Sequence, residues 1–583
     1  MKSFFKIFFA TLLALVLFTV IAFLVLAYMV GKATSPDKPE IGTNGVLVLD
    51  LSTGFKEQSQ DNPLSALFSD AEDAPGLHDV VRMIEYAKTD SAVKGIYLKA
   101  SGNGNGFAAS EELRQALLHF RESKKFVIAY GEVMSQKAYY VATAADKVYC
   151  HPNGGVDWSG YSSSVMFLKG LLDKLEIEPQ VFFAGKFKSA TEPFRVTQMT
   201  DANRLQTTVL LNDLYSRLLL NTATARHTDT AALHALANNG TIQSASDALK
   251  YNLVDGLKYD DQVKAEIFRL LHIKETEHPN FILPGKYVKS IDTSDEKDKI
   301  ALIYAQGDIV DGKGQEDEIG SDQYKNIIRK ARFDKSVKAI VFRVNSPGGS
   351  ALASDVIWRE ISLARKEKPV IVSMGDLAAS GGYYISCNGD SVFADPGTLT
   401  GSIGVFSIIP NMQSFFKNKL GITFDRVKTA PYAGITDASK PLTEIEKHFL
   451  QADVDSIYYT FKSRVAEGRK KSIDYIDSIA QGRVWTGERA IEVGLVDRIG
   501  TMQDAIASAA HMAKLKNYST AEYPEKKSLL EQLLGGSVSQ TIRVNMAKEE
   551  IGATDYQMLQ QVKKVKTWFG IPQTRMAFDL NVE

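Results

Sequence analysis

Apolar residues along this chain fall into one long run and many short ones. The long run, Ile7 to Val30, is 24 residues without a charge (IFFATLLALVLFTVIAFLVLAYMV). About 20 apolar residues in a helix span a bilayer core, so a transmembrane helix is expected over 7–30. A cleaved signal peptide has a shorter apolar region, roughly 7–15 residues, and a small-residue cleavage site. Met29-Val30-Gly31-Lys32 is a poor site, so the helix is read as a retained anchor. Lys2, Lys6 and the amino terminus precede it, and the flank from Lys32 to Glu40 mixes lysines with acids. The positive-inside bias then keeps residues 1–6 cytoplasmic and exports the body. No second stretch of similar length follows.

The short apolar runs come twice, in the same order. GVLVLDLS from Gly45 and KIALIYAQGDI from Lys299 each read as a buried strand. VKGIYLKA (93–100) matches VKAIVFRV (337–344), and each is followed by a Gly-rich loop, SGNGNG (101–106) or NSPGGS (345–350). An amphipathic helix comes next in both, AASEELRQALLHF and LASDVIWREISLA. Then VIAYGEVMSQKAYY (127–140) matches IVSMGDLAASGGYY (371–384), with Gly131 on Gly375 at an offset of 244. ALKYNLVDG (248–256) and AIEVGLVDRIG (490–500) recur at an offset of 242. Strands alternating with helices predict a mostly parallel α/β architecture. A period of about 240 residues is a duplicated domain, not a solenoid unit. The expected division is a cytoplasmic tip (1–6), an anchor (7–30), a linker (31–44), a first repeat (45–295), a second repeat (296–515) and a tail (516–583) that is helical in part. Within the tail, DYQMLQQVKKVKTWFG reads as an amphipathic helix.

Composition changes this picture little. The chain is 44% hydrophobic and 23% charged with a net charge of −1, which gives no basic face for nucleic acid. Cys150 and Cys387 are too few for a disulfide framework and do not coincide in the repeat register. No metal-ligand spacing and no nucleotide loop of the Walker type occurs, so no cofactor is expected and EDTA should leave activity intact.

The candidate chemistry lies where the two copies differ. Ser380 of the second copy faces Gln136 of the first. Lys188, in FKSATEPF, faces Tyr432. Ser380 follows a buried strand at the predicted start of a helix, among small residues, where glycine amides lie open to a developing oxyanion. Alone, such a serine is usually a cap or a packing residue. Gly348 or Gly349 of the NSPGGS loop offers a second oxyanion donor, although a tight turn is the plainer reading. A serine nucleophile needs a base. None of the nine histidines lies in these strand-end loops, and His151 is the nearest by repeat position. A lysine serves if desolvation neutralises it. Lys188 lies among Phe182, Phe183, Phe187 and Phe194, with Lys186 as its competitor two residues away.

Taken together, GDLAASGGYYIS (375–386), ADPGTLTGSIGV (394–405), NSPGGS (345–350), FKSATEPF (187–194), GRVWTGERAIEVGLVD (482–497) and the anchor resemble the signal peptide peptidase A (protease IV) family of S49 Ser–Lys serine proteases, in its long tandem-domain form. The likeness runs to about residue 515. It implies Ser380 as nucleophile, Lys188 as general base, Ser402 as the hydroxyl that orients the lysine, and Gly381 with Gly348 or Gly349 as the oxyanion hole. It implies two ClpP/crotonase-like domains of stacked βαβ units, the first carrying the lysine and the second the serine. It also implies a membrane-attached homo-oligomer, a tetramer, in a bacterial inner membrane with its body periplasmic, acting on hydrophobic peptides such as remnant signal peptides. Three rivals remain: a general envelope quality-control protease, a crotonase-like acyl-CoA enzyme, and a non-catalytic membrane scaffold.

Overall fold

The computed structural model describes residues 2–33, 39–59, 75–274, 279–291, 295–315, 317–525, 552 and 570–576. The N-terminal helix runs from Lys2 to Ala33 and contains a window, Phe4–Ile21, of mean hydropathy 2.5. Its described side chains are exposed. It is long and apolar enough to cross a membrane, and among the described residues no other helix is.

The repeat seen in the sequence is a repeat of sheets. The first sheet has the order Gly256–Leu257, Lys147–Val156, Phe126–Met134, Val93–Lys99, Gly45–Asp50, Asn280–Ile282, all parallel. In the second, Arg498–Ile499, Ser391–Ala394, Val370–Ala379, Val337–Ser346, Lys299–Gln306 and Ser519–Tyr523 follow one another in the same order, again all parallel. Central strands such as Gly45–Asp50 and Lys299–Gln306 are buried apolar runs, as expected where helices cover both faces of a parallel sheet. Crossover helices Phe107–Arg121 and Ala351–Ala364 occupy the predicted places.

Polar anchors repeat as well. Tyr139 donates to the carbonyl of Leu253 at 2.6 Å, and Tyr383 to that of Leu495 at 2.8 Å. Val148 N–H meets Asp255 at 2.8 Å, and Val392 N–H meets Asp497 at 2.8 Å. Arg226 and Arg469 then pair with those two aspartates. Each repeat thus closes its buried edge with the same Tyr, Asp and Arg, which satisfies backbone groups that would otherwise be orphaned.

The halves meet through buried charge. Arg343, 1% exposed, sits between Glu57 and Glu112 of the first repeat, each 2.7 Å away. Asp376 accepts the N–H groups of Ala108 and Ala109 at the start of the first repeat's crossover helix, at 2.9 and 3.1 Å.

A third sheet draws on both repeats and the tail. Its order is Glu318–Gly320, Asp308–Val310, Gly348–Ser350, Gln573–Arg575, Val405–Asn411, Glu178–Ala184. Glu178–Ala184 comes from the first repeat and pairs antiparallel with Val405–Asn411 over seven residue pairs. This pairing carries the end of the first repeat's strand to the second repeat's site. Two described parts of the tail are strands: Ser519–Tyr523 extends the second sheet and Gln573–Arg575 joins the third. The amphipathic stretch 555–569 lies outside the described residues, as do positions 34–38 of the predicted linker.

Candidate active site

Three loops converge where the strands Glu178–Ala184, Val370–Ala379 and Leu399–Gly401 end. The first belongs to Ser380. It is fully buried and has φ 56°, ψ −114°, a region an L-residue rarely occupies. Such a conformation costs about 1–3 kcal/mol and persists only when its surroundings enforce it. Here they do. Ser380 N–H donates to the Gly401 carbonyl at 2.7 Å, and its own carbonyl accepts from Tyr384 N–H at 2.8 Å as the short helix Gly381–Ser386 begins. The sharp turn aims Oγ away from the strand.

The second loop carries Lys188. The strand ends at Ala184, Gly185 turns at φ 113°, and a 3-10 turn begins at Ser189. Lys186 and Lys188 are therefore not on one strand face. Lys186 is exposed, with its ammonium over the Phe187 ring, whereas Lys188 is 2% exposed. Of the four phenylalanines that mark the segment, Phe182 and Phe194 are buried and Phe183 and Phe187 half-buried.

The third loop carries Ser402, 1% exposed and also at positive φ, 50°. Its N–H donates to the Arg483 carbonyl at 2.7 Å. Lys188 Nζ lies 2.8 Å from Ser380 Oγ, 3.0 Å from the Ser402 carbonyl oxygen and 3.2 Å from Ser402 Oγ. A neutral amine has two N–H groups and one lone pair. It can give both hydrogens to Ser402 and accept the Ser380 hydroxyl proton. Desolvation alone holds Lys188 well below the ordinary lysine value, and no carboxylate opposes that shift.

Gly381 follows Ser380 directly. Gly348, at φ 100°, lies beside it: a Cβ on Gly348 would come within 2.7 Å of the Gly381 nitrogen. Gly348 N–H meets Ser346 Oγ at 3.1 Å. Gly349 sits one residue away, paired in the sheet with both Ile309 and Thr574. The turn expected for NSPGGS is thus a short strand, Gly348–Ser350. His151 has its ring against Tyr259.

Two residues that build the site carry no signal of it in the sequence. Gly482, at φ 75°, lies so close to the lysine backbone that a Cβ there would meet Lys188 Cα and Cβ at 2.8 Å. Gly404 likewise faces Lys188 Cδ, at 3.1 Å from an added Cβ. Gly482 N–H also bonds the Ile403 carbonyl at 2.8 Å, and Phe187 N–H bonds that of Gln481 at 2.7 Å. The only hint was that Gly482 opens GRVWTGERAIEVGLVD, a motif some 290 residues from the lysine it holds.

A buried, desolvated amine aimed at a serine hydroxyl on a strained turn, with glycine amides alongside, is the equipment of a serine hydrolase with a lysine partner. Sequence comparison narrows that class. The model of peptidase family S49 matches residues 119–274 and 362–516. Protease 4 of Salmonella typhi is 35% identical over 92% of this chain and 89% of its own, and Protease 4 of Haemophilus influenzae 33% over 86% and 85%. A chloroplastic serine protease SPPA of Arabidopsis thaliana is 32% identical over 79% of this chain and 69% of its own. Among solved structures, a ClpP1 from Listeria monocytogenes aligns at 16% identity and a TM-score of 0.24, covering 35% of this chain and 94% of that one. The chain belongs to peptidase family S49, in its tandem form, and is a serine protease.

Proposed function

We propose that this protease is a membrane-anchored endopeptidase that cleaves hydrophobic peptides, among them signal peptides left in the bilayer, with Ser380 as nucleophile and Lys188 as general base. The observation that carries the reading is the 2.8 Å contact between Lys188 Nζ and Ser380 Oγ in a buried site where, among the described residues, no charged group offsets the desolvation of the amine.

Neutral Lys188 takes the Ser380 proton as Oγ attacks the peptide carbonyl. Ser402, through two acceptors, holds the amine so that its lone pair faces Oγ. The Gly381 N–H and the Gly348 N–H, the latter shared with Ser346 Oγ, receive the oxyanion. Protonated Lys188 returns its proton to the leaving amine. The same lysine then deprotonates the water that attacks the acyl-enzyme and passes that proton to Ser380 Oγ as the ester bond breaks, so each proton taken is given back.

The N-terminal helix supports placing the body at a bilayer surface, with residues 1–6 cytoplasmic and the catalytic repeats on the opposite side of a bacterial inner membrane. Copies gathered there as a homo-oligomer would present several sites to the same surface. The test uses the detergent-solubilised full chain, a fluorogenic peptide ending in Leu or Ala, and a fluorophosphonate label. Ser380→Ala and Lys188→Ala should abolish turnover, Ser380→Ala should abolish labelling, and Lys186→Ala should remain active. Turnover retained by Lys188→Ala would overturn the assignment of the base.

A further inference from the structure

One strand of the third sheet does not belong where it is found on grounds of chain order. Gln573–Arg575 lies between Gly348–Ser350 and Val405–Asn411, antiparallel to both. The strands on either side come from the nucleophile's own repeat, and without the tail strand a slot one strand wide separates them. A slot bounded by two strand edges is the usual seat of an extended peptide, which completes the sheet by backbone hydrogen bonds.

The register of the tail in this slot is fully specified. Gln573, Thr574 and Arg575 lie opposite Ser350, Gly349 and Gly348. Ala351 N–H donates to the Pro572 carbonyl at 3.2 Å, and Met576 N–H donates to that of Pro347 at 2.8 Å. On the other side Gly570 N–H reaches the Ile408 carbonyl at 3.0 Å. The strand points at the nucleophile. Thr574 packs against Gly381, where an added Cβ would meet its Oγ1 at 2.9 Å. Met576, 1% exposed, is buried in a cluster with Leu210, Ala379, Leu399 and Val484, and Ala379 directly precedes Ser380.

The residue before this apolar one carries a charge. Arg575 is opposite Gly348, whose missing side chain leaves a path across the sheet to the neighbouring strand. There Asp308 meets the guanidinium at 2.7 Å. The Arg575 side chain is 6% exposed and that of Asp308 20%, so the pair is more than a surface contact.

We propose that Gln573–Met576 lies in the substrate groove as a built-in peptide, and that its register assigns Asp308 as a specificity residue that selects a cationic side chain next to the apolar residue at the nucleophile. This rests on the reading of Ser380 and Lys188 given above. Peptides with Arg or Lys immediately before a Met- or Leu-sized residue are then preferred over those with Glu there, and they compete with the tail.

The test separates binding from catalysis. Full-chain Ser380→Ala, which needs no turnover, is titrated with a fluorescent peptide of sequence Ile-Pro-Gln-Thr-Arg-Met and read by anisotropy. The double variant Arg575→Glu/Met576→Asp, which unseats the tail, should bind it at least tenfold more tightly than the variant with the native tail. Adding Asp308→Asn should weaken that binding about tenfold and leave a Gln-for-Arg peptide unaffected. In the active chain, Asp308→Asn should lower kcat/KM for Arg-containing peptides toward that of the Gln analogues. If the peptide binds equally with and without the tail substitutions, or Asp308→Asn does not discriminate Arg from Gln, the tail is a fixed strand of the sheet and the proposal fails. If the tail variant does not fold, the Asp308→Asn comparison on the native tail still decides. If Ser380→Ala remains active, the proposed nucleophile is wrong, while the binding comparison stands on its own.

Discussion

Ser402 meets Lys188 through two different atoms: Nζ is 3.0 Å from its carbonyl oxygen and 3.2 Å from its Oγ. Both hydrogens of a neutral amine are thereby engaged, and the lone pair is left for Ser380. Only the hydroxyl can be removed by substitution. Ser402→Ala keeps the carbonyl contact and frees the amine to rotate about it. A lost hydrogen bond of this kind is worth about 1–3 kcal/mol, or roughly 10–100-fold in rate. The loss should appear in kcat with KM nearly unchanged, because the contact Ser402 makes is with Lys188, the base proposed above. Steady-state kinetics on one fluorogenic substrate decides this. A change confined to KM would move Ser402 into substrate binding.

Lys188 gives a pH dependence with a definite sign. Desolvation holds its folded value well below the ordinary one, so activity should rise as pH rises through that lowered value. Stability carries the same signature. Between the lowered value and about 10.4 for a lysine in the unfolded chain, the unfolded state holds a proton that the folded state has released. Folding stability contributed by this group therefore increases with pH across that window. Lys188→Met removes the group from both states. Wild type should gain on the Met variant as pH rises from 7 to 9, measured as the difference in melting temperature. Turnover should be lower by on the order of a thousandfold or more in the variant. A melting difference that is flat with pH would contradict the desolvated amine.

Gly482 makes the lysine loop possible. Its φ of 75° is rarely open to a side chain, and a Cβ would stand 2.7 Å from the Lys188 nitrogen. Gly482→Ala is expected to cost about 1–3 kcal/mol in stability and to shift Nζ away from Ser380. Gly404→Ala is the milder probe. Its Cβ would crowd Lys188 Cδ at 3.1 Å at a position without positive φ. It should reduce kcat several-fold with little change in melting temperature. If both variants melt like wild type and retain full kcat, the packing of these glycines does not position the base.

How much of this was readable before folding depended on what the information resides in. The duplication was legible, because equivalent strands must bury equivalent Val and Ile runs: Val127 and Ile371 each follow the repeat at an offset of 244. Ser380 and Lys188 stood out as candidates, each a reactive type that its own repeat partner lacks. The residues' own pattern did not separate Lys186 from Lys188, which only the family resemblance did, because the choice rests on where a strand ends, at Ala184, and element ends are set by tertiary contacts such as that of Phe187 with Gln481. Gly482 and Gly404 were invisible as site residues. Their role is the absence of a side chain against a residue hundreds of positions away. The third sheet was equally hidden, since its strands are three to seven residues long and come from both repeats and the tail.

Arg343 tests the join between the repeats. It is 1% exposed and pairs with Glu57 and Glu112. Removing one member of a buried ion pair costs about 3–5 kcal/mol, because the remaining charge is left unpaired. Arg343→Met leaves two buried carboxyls of the first repeat, Glu57 and Glu112, without the cation that the second repeat supplies. A loss of that order in urea unfolding, with lower activity only because less protein is folded, is expected. A neutral effect would mean that the carboxyls take up protons at no cost.

Asp395 makes the same junction sensitive to pH, in a direction opposite to Lys188. Burial, with Glu112 beside it, holds Asp395 well above the usual carboxylate range, and burial also raises Glu112. Arg343 opposes both shifts, while Glu111 adds to that of Asp395 and Glu57 to that of Glu112. Asp376, itself raised by burial, lies near Glu57 and Arg343. The folded protein therefore keeps a proton between the two carboxyls that the unfolded chain gives up at about pH 4. The associated stability is fully present below that value and is lost as pH rises toward the raised folded value. Asp395→Asn replaces the protonated acid with an amide of the same shape that can still donate to Glu112. It should narrow the stability lost between pH 5 and pH 8 in urea unfolding, and so be more stable relative to wild type at pH 8 than at pH 5. Because Lys188 acts with the opposite sign, the comparison is made in a Lys188→Met background, where the remaining slope reports the carboxyls. If Asp395→Asn leaves that slope unchanged, the proton is not held at this junction, and Arg343 alone balances the two carboxylates.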